Sequence, residues 1–266
     1  MKVRSVSRKK ILAFGFGMVL LFSLICRTAI AQKSDSASNQ WHFLAEPYLE
    51  LVNMKGSTDI GNLPELHVFV PFSDLFSHLK IAGMLYLEAH NNRFAIATDI
   101  FFSHLQEKGT GPKGLVNGQV DMKLLLWELD GYYRINPWLE FGLGARLNSL
   151  QMDLSATVDS LFNGGPYSKS LSFTKTWVDP VIITRMKKEL NDKWIFTLRA
   201  DIGGFGIGSQ LTWQVEPDIY YKFSKLFQLG LGYRYLSTDY SSGSGSDYFL
   251  YDITLYGPEI RLGFHF

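Results

Sequence analysis

The sequence predicts an all-β fold: a single antiparallel up-and-down transmembrane β-barrel of about ten strands. Three observations predict it. Apolar and polar residues alternate along most of the chain, the connections alternate between short and long, and an export-type segment precedes the alternating part. Outer-membrane barrels combine alternating strands with short turns on one side and long loops on the other. A mean hydropathy near zero excludes a bundle of membrane helices, each of which needs about 20 consecutive apolar residues.

The first 31 residues have the plan of a secretory signal peptide. Five basic residues in the first ten are followed by an apolar stretch over 11–26 and by Ala29-Ile30-Ala31, which suits a cleavage site. We predict a signal peptide over 1–31, a flexible leader over 32–40 and the barrel over 41–266. Removal of the signal peptide leaves 20 Lys and Arg against 25 Asp and Glu, and no cysteine. Disulfides are thus excluded from the mature chain, and no nucleic-acid partner is expected.

The strands are predicted from a period of two. In 139–148 every odd position is apolar, while the even positions are Glu, Gly, Gly, Arg and Asn. Alternate side chains of a strand face opposite sides, so one face suits lipid and the other a polar interior. Ten segments show the pattern: 41–53, 75–90, 93–105, 118–135, 138–153, 174–187, 193–203, 210–223, 226–238 and 248–266. One short helical turn is predicted over 73–79 after an N-cap Ser73.

Turns and aromatics indicate how the barrel sits in a membrane. An even strand number places both termini on the side of the short turns, which is periplasmic in outer-membrane barrels. Aromatics near those turns predict an interfacial girdle: Trp41, Tyr132, Tyr133, Trp138, Trp194, Tyr221, Phe223, Phe227 and Phe266. Four prolines inside strands predict lipid-facing bulges: Pro47, Pro180, Pro217 and Pro258. A secreted soluble β-barrel that binds a ligand shares the alternation and stays an alternative.

Several segments resemble a widespread, largely uncharacterised family of bacterial outer-membrane β-barrel proteins of the Gram-negative type. They are 61–64, 72–79, 177–180, 199–209, 211–214, 232–236 and 262–266, and the stretch RADIGGFGIGS at 199–209 with LTWQ at 211–214 is the most specific. The resemblance covers nearly all of the predicted mature chain. It implies the barrel fold and the outer-membrane location, and it implies that Phe266 is the end signal for the outer-membrane assembly machinery. It implies no agreed substrate.

The inward positions predict a layer of charges across the lumen. Its members are Glu46, Lys80, Asp99, Glu128, Arg146, Asp179, Arg199, Asp201, Glu216, Arg234, Glu259 and Arg261. Mixed signs at one depth should pair, because an unpaired buried charge costs several kcal/mol (roughly). The layer therefore forms either a plug in a structural or surface protein, or the constriction of a narrow channel for small polar solutes.

The third possibility is a barrel hydrolase of lipid or peptide. Ser77-His78 and Ser103-His104 are adjacent pairs, and neighbours on a strand face opposite sides, so neither pair could react as a unit. We therefore predict that the chain is not an enzyme. No cofactor and no metal site are expected, since six scattered histidines show no ligand spacing. The expected partners are outer-membrane lipid, lipopolysaccharide, the assembly machinery and an unknown small solute.

Overall fold

A computed structural model describes residues 40–61, 65–110, 116–158 and 167–266, so the predicted signal peptide and all of the leader except Gln40 lie outside the described residues. Strands dominate the described chain. They are β1 (His42–Glu50), β2 (Asn53–Ile60), β3 (Leu66–Val70), β4 (Leu79–His90), β5 (Phe94–Thr110), β6 (Val116–Asn136), β7 (Leu139–Val158), β8 (Tyr167–Glu189), β9 (Trp194–Gly203), β10 (Leu211–Lys222), β11 (Phe227–Ser242) and β12 (Phe249–His265), with one helix, α1 (Phe72–Ser77), and a 3₁₀ turn at Gly245–Asp247.

Ten of these strands close into an antiparallel barrel. The order is β1-β4-β5-β6-β7-β8-β9-β10-β11-β12, and β12 returns to β1 through pairs such as Leu44↔His265 and Glu50↔Glu259. The two remaining strands, β2 and β3, extend the wall beyond β12. The predicted ten-stranded up-and-down barrel is therefore confirmed. The termini of the barrel and the short turns lie at one end, which we call the short-turn end; the opposite end is the long-loop end.

The first transmembrane strand is interrupted between β1 and β2 but keeps one register. β12 pairs with both β1 and β2 in one unshifted register, as Glu50↔Glu259 and Tyr256↔Asn53 show. The break at Leu51–Val52 lies against Gly257, where a Cβ would stand 2.1 Å from the carbonyl oxygen of Leu51. Glycine is required there because the two backbones approach so closely.

The connection between the predicted strands 41–53 and 75–90 contains most of β2, all of β3 and the start of α1. The predicted helical turn exists, but Ser73 does not cap it; Pro71 precedes the helix, and the Phe72 N–H donates to Asn53 Oδ1 at 3.0 Å. The cap thus comes from a distant strand, which local sequence does not reveal. Among the described residues no helix is long and apolar enough to cross a membrane.

Parity sorts the side chains as the sequence predicts. Large apolar residues cover the outer face, among them Leu143 at 70% exposure and Leu129 and Leu231 at 53% each. A soluble monomer rarely exposes apolar patches beyond a few hundred Å² (roughly), so this surface suits lipid. Tyr132 is an exception to the predicted girdle: it is buried in the lumen while Tyr133 faces out, since neighbours on a strand cannot share a face.

Two other details differ from prediction. The prolines do face outward, but the strands keep their register past them; the described ladders shift only between Leu79 and Ile81 and between Arg134 and Asn136. The strands β5 to β8 also extend farther toward the long-loop end than predicted. Polar cross-strand pairs such as Thr157 Oγ1 and Ser168 Oγ, 3.0 Å apart, join these extensions, where the apolar alternation has already ended.

Candidate functional site in the barrel lumen

The centre of the lumen holds a network of arginines and carboxylates, here called the central ion-pair layer. It consists of Arg146, Arg199, Arg234 and Arg261 with Glu46, Glu50, Asp99, Glu128, Asp130, Asp201, Glu216, Asp218 and Glu259. Ten of the twelve sequence-predicted residues belong to it. The sequence missed Glu50, Asp130 and Asp218, although all three share the inward parity of residues that were predicted.

One half of the layer is built around Arg146, which is 1% exposed. Its Nε donates to Glu128 Oε2 at 2.8 Å, and its Nη2 donates to both carboxylate oxygens of Asp201 at 3.0 and 2.9 Å. Arg199 contacts the same two carboxylates and reaches Asp130 Oδ2 at 3.5 Å. Each of the two carboxylates therefore contacts two arginines. Arg146 Nη1 also donates to Thr212 Oγ1 at 3.2 Å, so the network links the four strands β6, β7, β9 and β10.

The other half is built around Arg234 and Arg261. Arg234 donates to Glu216 Oε2 at 3.0 Å on the neighbouring strand and to Asp99 Oδ2 at 2.7 Å on β5. β11 and β5 are four places apart in the ring of ten, so this contact crosses the lumen. Tyr48 lies between them, because its hydroxyl donates to Asp99 at 2.7 Å and accepts from Arg234 at 3.1 Å.

Carboxylates outnumber arginines in this layer, and three of them could hold a metal ion. Ligand oxygens of Glu216, Asp218 and Glu259 lie within 4.8 Å of one another. Arg261 already fills the space between them: its Nη2 is 2.6 Å from Glu216 Oε1 and 3.2 Å from Glu259 Oε2, and its Nε is 3.7 Å from Asp218 Oδ1. The guanidinium thus neutralises the cluster as a cation would, and the residues do not fit an additional metal beside it.

Two predicted members lie outside the layer. Asp179 is fully buried, but it pairs with no arginine or lysine of the described chain; it accepts hydrogen bonds from Asn148, Trp177 and Ser209 instead. Lys80 is exposed and belongs to no ion pair among the described residues. It was wrongly predicted because β4 carries a bulge between Leu79 and Ile81, which breaks the parity count.

A second polar group lies nearer the short-turn end and was missed from the sequence. Arg185 donates to Glu140 Oε2 at 2.7 Å and to the Tyr86 hydroxyl at 2.8 Å, and it pairs with Glu88 on β4. Its guanidinium also lies 4.2 Å from the centre of the Tyr132 ring. β8 and β4 are four places apart, so Arg185 is a second link across the lumen. Its inward parity with Asp179 is the signal that could have indicated it.

Above the central layer, toward the long-loop end, the lumen is apolar rather than charged. We call this part the outer chamber, lined by Val52, Met54, Met84, Phe101, Leu124, Leu150, Tyr251, Ile253 and Leu255. The predicted polar interior is therefore confirmed only for the lower part of the lumen. The run Leu124-Leu125-Leu126 explains the failure, because a strand that is apolar on both faces shows no alternation.

The serine–histidine pairs differ from prediction in part. Ser103 faces the lumen while His104 faces out and contacts Asp121 Oδ1 at 3.0 Å, as parity requires. Ser77 and His78 end α1 rather than lying on a strand, and Ser77 Oγ is 3.0 Å from His78 Nδ1. That nitrogen is also 2.8 Å from the carbonyl oxygen of Asp74, which can only accept a proton. When His78 Nδ1 carries a proton, it donates to that carbonyl oxygen and is not free to accept the proton of Ser77.

Comparisons with known proteins identify the fold. No protein-family model and no curated protein matches the sequence. Among solved structures, the chain is similar to the outer-membrane protease OmpT from Escherichia coli, with a TM-score of 0.50 and 8% identity over 88% of this chain and 99% of that chain. Ail, the attachment invasion locus protein of Yersinia pestis, gives a TM-score of 0.31 and 11% identity over 85% and 98%. A FadL homologue from Pseudomonas aeruginosa gives 0.35 and 10% over 85% and 90%.

Proposed function

Because the chain has the fold of bacterial outer-membrane β-barrels, we propose that it is a closed barrel of the outer membrane, with a structural and surface-exposed role. The central ion-pair layer fills the lumen and blocks the passage of ions and small polar solutes. A ten-stranded barrel lies close to the eight-stranded size at which side chains just fill the interior. The competing function, a narrow channel for polar solutes, needs a continuous wet path through the same layer.

The observation that carries this proposal is the set of contacts that cross the lumen. Arg234 reaches Asp99 from β11 to β5, and Arg185 reaches Glu88 from β8 to β4. The two contacts lie at different depths, so a solute would have to break both. The side chains of Arg234 and Arg261 are 5% and 3% exposed, so water has little access to either guanidinium group.

The same proposal implies how the barrel is oriented in the membrane and what it contacts there. The short turns lie on the periplasmic side and the long loops outside the cell. The apolar outer face contacts lipid and lipopolysaccharide, and the assembly machinery recognises the C-terminal residue. The 52% exposure of Phe266 beside the first strand, where its N–H donates to the Phe43 carbonyl oxygen at 2.9 Å, supports this recognition. Recovery of the full-length protein in the outer-membrane fraction tests the location, and recovery in the periplasmic extract would contradict it.

Planar-bilayer recording tests the closed lumen. We expect the refolded wild-type barrel to give no steady conductance at neutral pH. The quadruple variant Arg234→Ser/Asp99→Ser/Arg185→Ser/Glu88→Ser should conduct, because it removes both links across the lumen while leaving the net charge unchanged. The measurement is the frequency and size of single-channel current steps at a fixed voltage.

The matched control is an exposed ion pair of the same length. Lys222 Nζ lies 2.7 Å from Glu189 Oε1 at the short-turn end, as Arg234 Nη2 lies 2.7 Å from Asp99 Oδ2 in the lumen. Lys222→Ser/Glu189→Ser should stay silent. Steady current through the wild type that changes its ion selectivity in Arg234→Ser/Asp99→Ser would instead establish the narrow channel.

We also propose that the chain is not a hydrolase, and the state of His78 supports this. Its Nδ1 contacts the backbone carbonyl of Asp74, as residues at the end of a helix commonly do. Its Nε2 is 4.0 Å from Glu107 Oε1. Incubation of the refolded barrel with lipopolysaccharide, phospholipid vesicles and a casein-derived peptide mixture should give no cleavage. Turnover by the wild type that disappears in His78→Ala would contradict this proposal.

A further inference from the structure

The outer chamber contains two neighbouring cavities. The larger, of about 210 Å³, opens toward the long-loop end between Val68, Val120 and His78. The smaller, of about 50 Å³, lies beside α1. Both are bounded by Met54, Leu75, Met122 and Leu124, so they lie side by side above the central ion-pair layer. An engineered apolar cavity of about 150 Å³ can bind benzene, so the larger cavity has room for a molecule with one aromatic ring.

The smaller cavity passes through the barrel wall. The ladder between β1 and β4 ends at Pro47↔Leu85, and β2 pairs with β3 from Met54↔Val70 onward. Between these two points the Glu50 N–H donates to Met84 Sδ at 3.2 Å instead of to a strand carbonyl. The cavity there is bounded by Leu49, which is 45% exposed on the outer face, and by Phe101, which is buried in the lumen. It therefore joins the apolar outer surface to the outer chamber.

The neighbours of this opening place it at the outer border of the apolar band, because His104, which is paired with Ile81 in the ladder, faces out and contacts Asp121. Ile81 on β4 and Phe76 on α1 expose large side chains on either side of it, next to Leu49. Such side chains belong in the apolar band of a transmembrane barrel rather than in water. The opening thus lies where the apolar band ends, within reach of an apolar molecule dissolved in the membrane.

One polar atom at the inner end of the opening has no partner. Glu50 lines the smaller cavity and is 4% exposed, and its Oε1 accepts no hydrogen bond. Its Oε2 is 3.7 Å from Arg234 Nη1, so the side chain belongs to the central layer on one side and to the cavity on the other. A buried acceptor without a donor is costly, and a ligand that brings a donor would remove that cost. Among the described residues that line this cavity, Ser103 is the only other polar one.

We propose that the outer chamber binds a small, uncharged, mainly apolar molecule of about one aromatic ring that carries a single hydrogen-bond donor, and that this molecule enters from the membrane between β1 and β4. The hydroxyl donates to Glu50 Oε1, and the apolar part packs between Met84, Phe101 and Leu124. A carboxylate in place of the hydroxyl is rejected, because its charge would lose its water in an apolar cavity. This site does not depend on the proposed block of the lumen, since it lies above the central layer.

Calorimetric titration with three one-ring probes tests the ligand class. The probes are p-cresol, toluene and p-toluate, titrated into the refolded full-length barrel, with empty micelles subtracted. We expect p-cresol to bind about tenfold more tightly than toluene, because only p-cresol supplies the missing donor. p-Toluate should bind more weakly than toluene. Equal binding of all three probes, or no binding of p-cresol above the empty micelles, would overturn the proposal.

A matched pair of substitutions locates the site. Ala82 lines the smaller cavity, so Ala82→Phe should fill it and weaken p-cresol binding by about tenfold or more. Ala145 is exposed on the outer face of β7, so Ala145→Phe adds the same bulk to a lipid-facing position and should leave binding unchanged. Unfolding curves of both variants report whether each still folds. A folded Ala82→Phe variant with wild-type affinity would overturn the proposed site.

Association rates distinguish entry from the membrane from entry through the long-loop end. Val120 lies at the mouth of the larger cavity, and Val120→Trp should narrow it. Stopped-flow mixing with p-cresol in lipid nanodiscs should show slower association for Ala82→Phe and an unchanged rate for Val120→Trp. The reverse order would overturn entry between β1 and β4 and would assign the ligand to the external medium.

Discussion

Replacing Arg146 with alanine is expected to lower the free energy of unfolding by about 3–5 kcal/mol, since removal of one partner leaves buried charge unpaired. Arg146 is 1% exposed and forms three of its hydrogen bonds with Glu128 and Asp201. Arg199 remains near both carboxylates, but it contacts Glu128 Oε1 and Asp201 Oδ2, so Glu128 Oε2 and Asp201 Oδ1 lose the donor that Arg146 supplies. Urea unfolding of the refolded barrel in micelles, extrapolated linearly to water, measures the loss.

Two further variants show whether the loss comes from the buried charge. Lys80→Ala is the control, because Lys80 is exposed and forms no ion pair within the described chain; its effect should stay within about 0.5 kcal/mol. In Arg146→Met/Asp201→Asn the carboxylate that loses its partner is also neutralised, so the double variant should lose less than the sum of its single variants. If Arg146→Ala behaved like Lys80→Ala, the layer would be open to water, and the closed lumen would be contradicted together with it.

Parity determines most of what could be predicted about this fold. The alternation of apolar and polar residues predicts which residues face lipid, how many strands close the barrel and which charges lie in the lumen. It does so because the side chains of a strand keep alternating between the two faces unless a bulge intervenes. Lys80 shows the limit of this rule, since the bulge beside it leaves no mark in the sequence. The interrupted first strand shows another, because its break depends on Leu51 and Gly257 meeting across 200 residues of chain.

The candidate site was only partly predictable for a related reason. A sequence shows the sign and depth of each inward charge, but which arginine reaches which carboxylate depends on the curvature of the closed barrel. Arg185 was missed in this way, although it crosses the lumen to Glu88. The outer chamber was missed because β6 is apolar on both faces there, so the sequence does not show which of its apolar residues point into the lumen. Glu50 belongs to the charged layer and to the chamber, and neither role is visible without the other strands.

Substitution of Asp179 tests a different way of holding a buried charge. Asp179 is fully buried and accepts hydrogen bonds from Asn148 Nδ2 and Ser209 Oγ, each at 2.9 Å, and from Trp177 Nε1 at 3.2 Å. The Ser209 backbone N–H donates to its second oxygen. Asp179→Ala should lower the free energy of unfolding by about 3–5 kcal/mol, since a buried donor without an acceptor costs about 1–3 kcal/mol. Asp179→Asn should fall between alanine and wild type, because its amide keeps one acceptor oxygen.

Asp179→Ala should also loosen the turn before Ser209. This local effect distinguishes the role of Asp179 in the turn from a general loss of stability. Gly204, Phe205 and Gly206 hold φ angles of 84°, 52° and 73°, a left-handed conformation that is costly for Phe205. The bonds from Ser209 to Asp179 offset that cost, so without them the turn should open while the barrel persists. Limited proteolysis after Phe205 should therefore be faster in Asp179→Ala than in Asp192→Ala, a control in an exposed short turn. Equal cleavage would mean that the glycine turn holds its shape without the carboxylate, and Asp179 would then act only on the interior of the lumen.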